Sequence, residues 1–409
     1  MASLAPTSSP ISGRITELDA LRGLAVIGIV WMNVYVFALP AQGYYNPLAW
    51  QGAEGINAPL DRIVWAVSFV FIEDKFRTLF AMLFGAGCII LIERASERGE
   101  TRIWRAHYAR MAVLFVIGFV HATLLASNDI LRGYALAGCA LPFLAHLSVR
   151  ALVAISIGLV AIHLGGGIVA FGGAIYDWSR GLNGSDQVMF AERNFGVDPL
   201  AVQYALDLGR ESFDERVTRR IDTIPAQLQT IAGSVPINLA AMTLGMALWK
   251  DRMLAGEWRT FQLQRLAAVC ALCTIPCLLG LAWWVSDRGF PGVLAGPTSL
   301  ILSAPFDTAL GLAYAALAMA LFNGEGKLTR LLAAAGRLSL SNYVMTSVIL
   351  SAIFSSWGFG LFGYVSRTEA LVISFLPIAV MLVWSPLWTD RMGQGPLERL
   401  WRGAAKALS

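Results

Sequence analysis

The chain has 409 residues, of which 56% are hydrophobic and only 14% charged, too little polar surface to cover a water-soluble domain. Its formal charge of +4 is spread along segment ends and not gathered into a dense patch, which argues against a nucleic-acid partner. The expected class is an all-α, polytopic integral membrane bundle of about ten transmembrane helices, since a bilayer core takes roughly 20 apolar residues per helix.

Residues 1-16 lack the basic start, short apolar core and small-residue cleavage site of a signal peptide, so they are expected to be a disordered cytoplasmic tail before a retained first span. That span, 20-40, opens in "ELDALRGLAVIGIVWMN". On a helix Asp19 and Arg22 can pair, and Arg22 and Asn33, eleven apart, return to one face. At ~1.5 Å per residue the stripe climbs about 16 Å, from the cytoplasmic surface to roughly the bilayer centre. Such a stripe faces protein or water. It reads either as a snorkelling Arg with a capping Asp and a helix-pairing Asn, or as the wall of a ligand site.

Next comes "APLDRIVWAVSFVFIE", residues 58-73, short for a full crossing. Treated as non-crossing, it leaves most of the 31 Lys and Arg residues inside, including the run Arg94 to Arg110, with both termini cytoplasmic. Counted as a crossing it would put that run outside. Residues 41-73 are therefore expected to lie in the interface. In "EDKFRTLFAMLFGAG", residues 73-87, Lys75 and Arg77 are expected at the outer face, where they could attract an anionic substrate. Gly85, Ala86 and Gly87 would permit close helix packing.

Spans near 74-93, 109-127 and 131-148 follow. "FVHATLLASNDILRGYALAG", residues 119-138, puts His121 near the outer end of one span and Asp129 at the start of the next. A carboxylate that orients a histidine and supports its charged form makes a general base, although Asp129 also suits a helix N-cap. His107, His146 and His163 read as structural. After a span at 151-175, the acid-rich 176-225 is expected to be an extracytoplasmic loop, in which "DLGRESFDERVTRRIDTI" suits either a short interfacial helix over the outer mouth or a solvated connector.

The C-terminal membrane helices and cytoplasmic tail occupy 226-409, with spans near 227-249, 263-285, 299-322, 335-356 and 370-390. Cys270, Cys273 and Cys277 share a helical face, but no His or carboxylate joins them, so no metal is expected. "GRLSLSNYVMTSVI", residues 336-349, is unusually polar. Asn342, Thr346 and, with some drift, Ser339 share a face there, which fits a cavity wall or interhelical hydrogen bonding equally. No Walker loop, GxSxG elbow, HExxH or strand-borne GxGxxG occurs, so ATP-driven transport has no support.

"RITELDALRGLAVIGIVWMN", "DKFRTLFAMLFGAG", "HATLLASNDILRGYALAG", "GRLSLSNYVMTSVI", "GFGLFG" at 358-363 and "GPLERLWR" at 395-402 together resemble the bacterial YeiB-like membrane family, with its domain of unknown function 418. A Gln often stands in that family where this chain has Thr346. The opening also looks like that of a wider transmembrane acyltransferase group, which includes the acyltransferase-3 proteins and the lysosomal heparan glucosaminide N-acetyltransferase. Those enzymes pass an acyl group from a cytoplasmic thioester to a sugar on the far side. In the acyltransferase-3 pattern a His stands eleven residues after the Arg, where this chain has Asn33. The heparan enzyme has Asn there too, but its His follows shortly, and residues 34-106 here contain none.

What the resemblance implies is an acyltransferase of the bacterial inner membrane that uses acyl-CoA or acetyl-CoA as donor and a small molecule, sugar or envelope glycan as acceptor. Asp19 and Arg22 would guard the donor entrance, and Arg22 would bind phosphate. Asn33 would hydrogen-bond the thioester carbonyl, and His121 with Asp129 would supply the base. Lys75, Arg77, Asn342 and Tyr343 are the expected substrate contacts. The bilayer is the expected partner, and a homodimer stays open. A transporter or channel for a small metabolite or lipid, or a non-catalytic scaffold, would use the same intramembrane polar groups differently.

Overall fold

The computed structural model describes residues 16-409 except Glu54, Ile56, Asn323 and Glu325. Thr16 apart, the tail expected at 1-16 lies outside the described residues. Among the described residues there is no strand. In chain order come α1 (Thr16–Ala38), α2 (Ala41–Tyr45), α3 (Ala58–Phe71), α4 (Lys75–Glu97), α5 (Ile103–Leu124), α6 (Ile130–Gly138), α7 (Leu141–Leu144) and α8 (Val149–Ser179). Three short helices follow, α9 (Asp186–Phe195), α10 (Pro199–Gly209) and α11 (Phe213–Asp222). The rest is α12 (Ile224–Lys250), α13 (Thr260–Asp287), α14 (Gly292–Pro297), a π-helical turn at Thr298–Leu302, α15 (Ala304–Leu321), α16 (Lys327–Arg337), α17 (Ser339–Phe354), α18 (Arg367–Met392) and α19 (Pro396–Leu408).

Among the described residues, and with α3 and α4 taken together, eight helices are long and apolar enough to cross a membrane, or nine if α16 and α17, bent by 81° at Leu338, form one span. This is a multi-pass helical membrane protein. The expected single span at 131-148 is corrected, because the helix breaks at Cys139 and Ala140. Its two pieces still descend antiparallel to the whole of α5: Asp129 meets His121, the Gly138 carbonyl meets His107, and Phe143 meets Trp104 at the start of α5.

Residues 58-73 also differ from expectation. Instead of lying flat, α3 forms the outer part of a long broken helix with α4, 58-97. Its carboxylate Asp61 meets Thr368 at the start of α18, Ser68 meets Tyr35, and the Phe71 carbonyl accepts a hydrogen bond from Tyr314 in the body of α15. Leu60, Ile63, Val67 and Phe71 are exposed at three- and four-residue spacing, a stripe that only lipid would cover. The break is a turn through Asp74 at φ 59, the left-handed region that few non-glycine residues adopt.

Close crossings centre the bundle. A Cβ on Gly23 would lie 2.1 Å from the Leu332 carbonyl oxygen and one on Gly336 1.8 Å from that of Asp19, so α1 and α16 touch backbone to backbone. The same reciprocity joins Gly85 of α4, 2.1 Å from the Met242 oxygen, to Gly245 of α12, 1.8 Å from that of Met82. These are the small-residue contacts that bring membrane helices together without a hydrophobic driving force. Along its apolar stretch α1 is 72% buried, against 17% for α8, so α1 is the core and α8 the lipid-facing rim.

Residues 176-225 hold more structure than one interfacial helix. α8 runs to Ser179, and Ser185, Asp198 and Ser212 cap α9, α10 and α11 with their side chains. Ser212 and Glu215 form a capping box on α11, which satisfies two backbone donors at once. These helices roof one end of the bundle. The other end carries α19 and the turns holding Arg94 to Arg110, and is called the arginine-rich end below.

Candidate functional site

His121 and Asp129 meet at the roofed end. Asp129 begins α6 with one carboxylate oxygen accepting the Arg132 backbone N–H at 3.0 Å, while the other lies 2.8 Å from His121 Nδ1. The helix cap and the histidine contact are thus divided between its two oxygens. Gly118 makes the approach of α5 and α6 possible, since a Cβ there would sit 2.6 Å from Asp129 Oδ1. Arg132 pins the turn by donating to Gln227 Oε1 and to the Ser127 carbonyl, both at 2.8 Å. The Tyr343 ring lies against His121 at 4.9 Å between centroids, and its hydroxyl accepts from the Ile130 N–H.

Among the described residues, both nitrogens of His121 and Asp129 Oδ2 are buried without a hydrogen bond, so the 2.8 Å approach of Nδ1 to Oδ2 is an ion-pair contact and not an aligned hydrogen bond. A small turn of the ring that placed Nδ1–H on the carboxylate would leave Nε2 as the basic nitrogen. Asn33 also comes to this end: its Oδ1 accepts from Asn128 Nδ2 at 3.5 Å, one residue before Asp129. Sequence spacing suggested the bilayer centre for Asn33, but α1 ends only five residues later, at Ala38, about 7 Å further on. The structure therefore gathers His121, Asp129, Asn33 and Tyr343.

Beside this cluster lies a cavity of about 420 Å³ whose wall includes Leu125, Ser127 and Asn128, with Arg216, Arg219 and Arg220 of α11 above and Glu73, Asp74 and Ser299 below. A second cavity, about 660 Å³, opens at the arginine-rich end and takes in Asp19, Arg22, Arg94, Arg110, Arg337 and Arg402. With Glu398 as its other carboxylate, it has five arginines against two acids. Arg22 pairs with Asp19 at 2.9 Å, and Arg337 Nε is buried without a hydrogen bond among the described residues. Glu398 is consumed by the Leu340 and Ser341 N–H groups at the bend between α16 and α17, so the wall is net cationic and suits an anion.

The other expected contacts behave differently. Lys75 is fully buried, with Nζ 2.6 Å from Asp307 Oδ1 on α15. Arg77 pairs with Asp74 at 2.6 Å and donates to Asn238 at 2.7 Å. An outer-face position for these cations is corrected: they neutralise acids at the break between α3 and α4, as buried charges must. Asn342 binds the Ala335 carbonyl, Ser385 and Trp384, which ties α16, α17 and α18 and is the interhelical role.

A family described as "Protein of unknown function (DUF418)" matches residues 248-407. Over nearly the full length, the chain is 30% identical to "Uncharacterized protein YeiB" of Escherichia coli (strain K12), with 95% of each chain covered. The chain belongs to the YeiB-like DUF418 family. It is also 27% identical to "Uncharacterized protein YxaH" of Bacillus subtilis (strain 168), covering 99% of this chain and 96% of that one. No solved structure matches it. The DUF418 match takes in Tyr343, Asn342 and the Arg337, Glu398 and Arg402 wall of the inner cavity, while Asn33, His121 and Asp129 lie before it.

Sequence reasoning passed over Asp307, Asn238, Glu73 and the three α11 arginines. Asp307 had a usable signal, a lone acid within the apolar run 299-322, which marks a buried partner by default. Glu73 had none, because next to Asp74 and Lys75 it reads as one more surface charge.

Proposed function

We propose that this chain is a transmembrane acyltransferase that takes an acyl group from acyl-CoA in the arginine-rich cavity and passes it to an acceptor hydroxyl or amine at the roofed end. The observation that carries this reading is His121, a buried imidazole whose Nδ1 lies 2.8 Å from Asp129 Oδ2 and whose Nε2 makes no hydrogen bond among the described residues. Arg22, Arg337 and Arg402 would hold the donor's phosphates. His121 Nε2 would take the acceptor's proton as its oxygen or nitrogen attacks the thioester carbonyl, and Asp129 would stabilise the imidazolium. Asn33, whose Oδ1 is occupied by Asn128, keeps its Nδ2 to donate to the developing oxyanion. The C–S bond then breaks and the coenzyme A thiolate recovers the proton from His121.

The test is single-turnover transfer from labelled acetyl-CoA by the protein in nanodiscs. His121→Ala is expected to lower the rate about 10²- to 10⁴-fold, the usual range for a lost general base, with Asp129→Asn close behind. A wild-type protein that neither binds nor cleaves any acyl-CoA, or a His121→Ala variant with unchanged turnover, would sink the reading. Transport is a second reading, favoured by two cavities at opposite ends with buried ion pairs at a helix break between them. Solute flux into proteoliposomes without covalent change would select it.

A further inference from the structure

The charges around the roofed cavity do not cancel locally. On its floor Asp74 is neutralised by Arg77, and the neighbouring Lys75 by Asp307. That leaves Glu73, buried at 5% exposure, lining the cavity with no side-chain hydrogen bond or ion pair among the described residues. Ser299 lines the same floor, and its hydroxyl is buried and unpartnered. On the roof Arg219 is neutralised by Glu211 at 2.9 Å. Among the described residues, the Arg220 guanidinium meets only the Thr123 and Leu125 carbonyls, and that of Arg216 only Ser355 and the Gly209 and Glu211 carbonyls. Burial, and then the charges of Arg216 and Arg219, pull Arg220 down to about 10, so it is still cationic at neutral pH and would be relieved by an anion.

Among the described residues, one cavity therefore has a carboxyl group without a direct ion pair at its inner end and two guanidiniums without one at its mouth. We infer that it binds an amphoteric ligand, a protonated amine a short chain away from a phosphate, with the amine on Glu73 and Ser299 and the phosphate on Arg220 and Arg216. A ligand amine would hold the Glu73 carboxyl in its ionised form, and a phosphomonoester carries up to two negative charges for the two guanidiniums. About 420 Å³ is at the small end of ligand pockets. The same chemistry is offered by a free aminoalkyl phosphate and by the headgroup of an amine-bearing phospholipid. This names the acceptor class, and to that extent it rests on the acyl-transfer reading.

The experiment is equilibrium binding of O-phosphoethanolamine to the full chain in nanodiscs without acyl donor, so it can fail while transfer survives, or hold while transfer fails. Saturable binding is expected, with ethanolamine and glycerol phosphate, each carrying one end only, at least about tenfold weaker. Glu73→Gln and Arg220→Gln should each weaken the probe by a similar factor, and Arg220→Lys should restore most of it. Weaker probe binding in phosphatidylethanolamine than in phosphatidylglycerol discs assigns the natural occupant to the lipid headgroup, and equal binding assigns it to a free molecule. No saturable binding, or glycerol phosphate binding as tightly as the full probe, overturns the inference without reference to any variant.

Discussion

Lys75 Nζ and Asp307 Oδ1 lie 2.6 Å apart with both side chains buried, and removing either partner alone would strand a charge. Lys75→Met or Asp307→Leu is expected to cost about 3–5 kcal/mol, while the double variant recovers much of that loss, because an apolar pair meets no desolvation penalty. Unfolding of the purified variants checks this, and additive losses would mean that the pair is not coupled. Asn342→Ala orphans Trp384 Nε1 and takes one of two donors from the Ala335 carbonyl, which keeps the Leu338 N–H, an expected loss of about 1–3 kcal/mol in stability. Single-turnover transfer should be unaffected by it. A selective fall in turnover at unchanged stability would instead put Asn342 in the site.

At the level of helices, the crossings predict where size is not tolerated. Gly245→Leu drives a side chain into the Met82 carbonyl, a contact that backbone cannot yield, and is expected to cost more than the ordinary overpacking loss of about 1–3 kcal/mol. Gly118→Ala strikes Asp129 and the Arg132 backbone, so it should spoil the His121 alignment and the rate before it unfolds the bundle. Gly158 on α8 has open space, and Gly158→Ala should leave stability unchanged or raise it by about 0.5–1 kcal/mol. Thermal melts of the three in one lipid rank the crossings. Equal melting of Gly245→Leu and Gly158→Ala would refute the close approach of α4 and α12.

For the whole molecule, the two cavities open at opposite ends of the bundle, and the arginine-rich turns predict which end is cytoplasmic. On a cysteine-free background, Asn128→Cys in intact cells should react with a membrane-impermeant thiol reagent, and Arg402→Cys only in inverted vesicles. The reverse pattern would turn the protein over and place the donor cavity outside. The break between α3 and α4 puts Glu73, Asp74 and Lys75 between the two ends, which neither a straight span nor a flat interfacial helix could do.

Composition and apolar run length by themselves determined that this is a multi-pass helical bundle, because continuous apolar runs of roughly 20 residues satisfy their backbone hydrogen bonds in lipid as helices, whereas a barrel needs shorter strands of alternating polarity. Local spacing put His121 and Asp129 within reach of each other across a short turn, and the packing of α6 on α5 brings them to 2.8 Å. Tertiary structure alone decided which charges are spent. Lys75 and Arg77 read as free cations until α15 and α12 supply Asp307 and Asn238, residues more than 150 positions away. Glu73 and Arg220 read as ordinary surface charges until packing denies each a counter-ion. Periodicity reports which face of a helix is polar, but the partner that neutralises a charge lies on another helix, and the register between helices is set by glycine contacts such as Gly85 with Met242 and Gly245 with Met82.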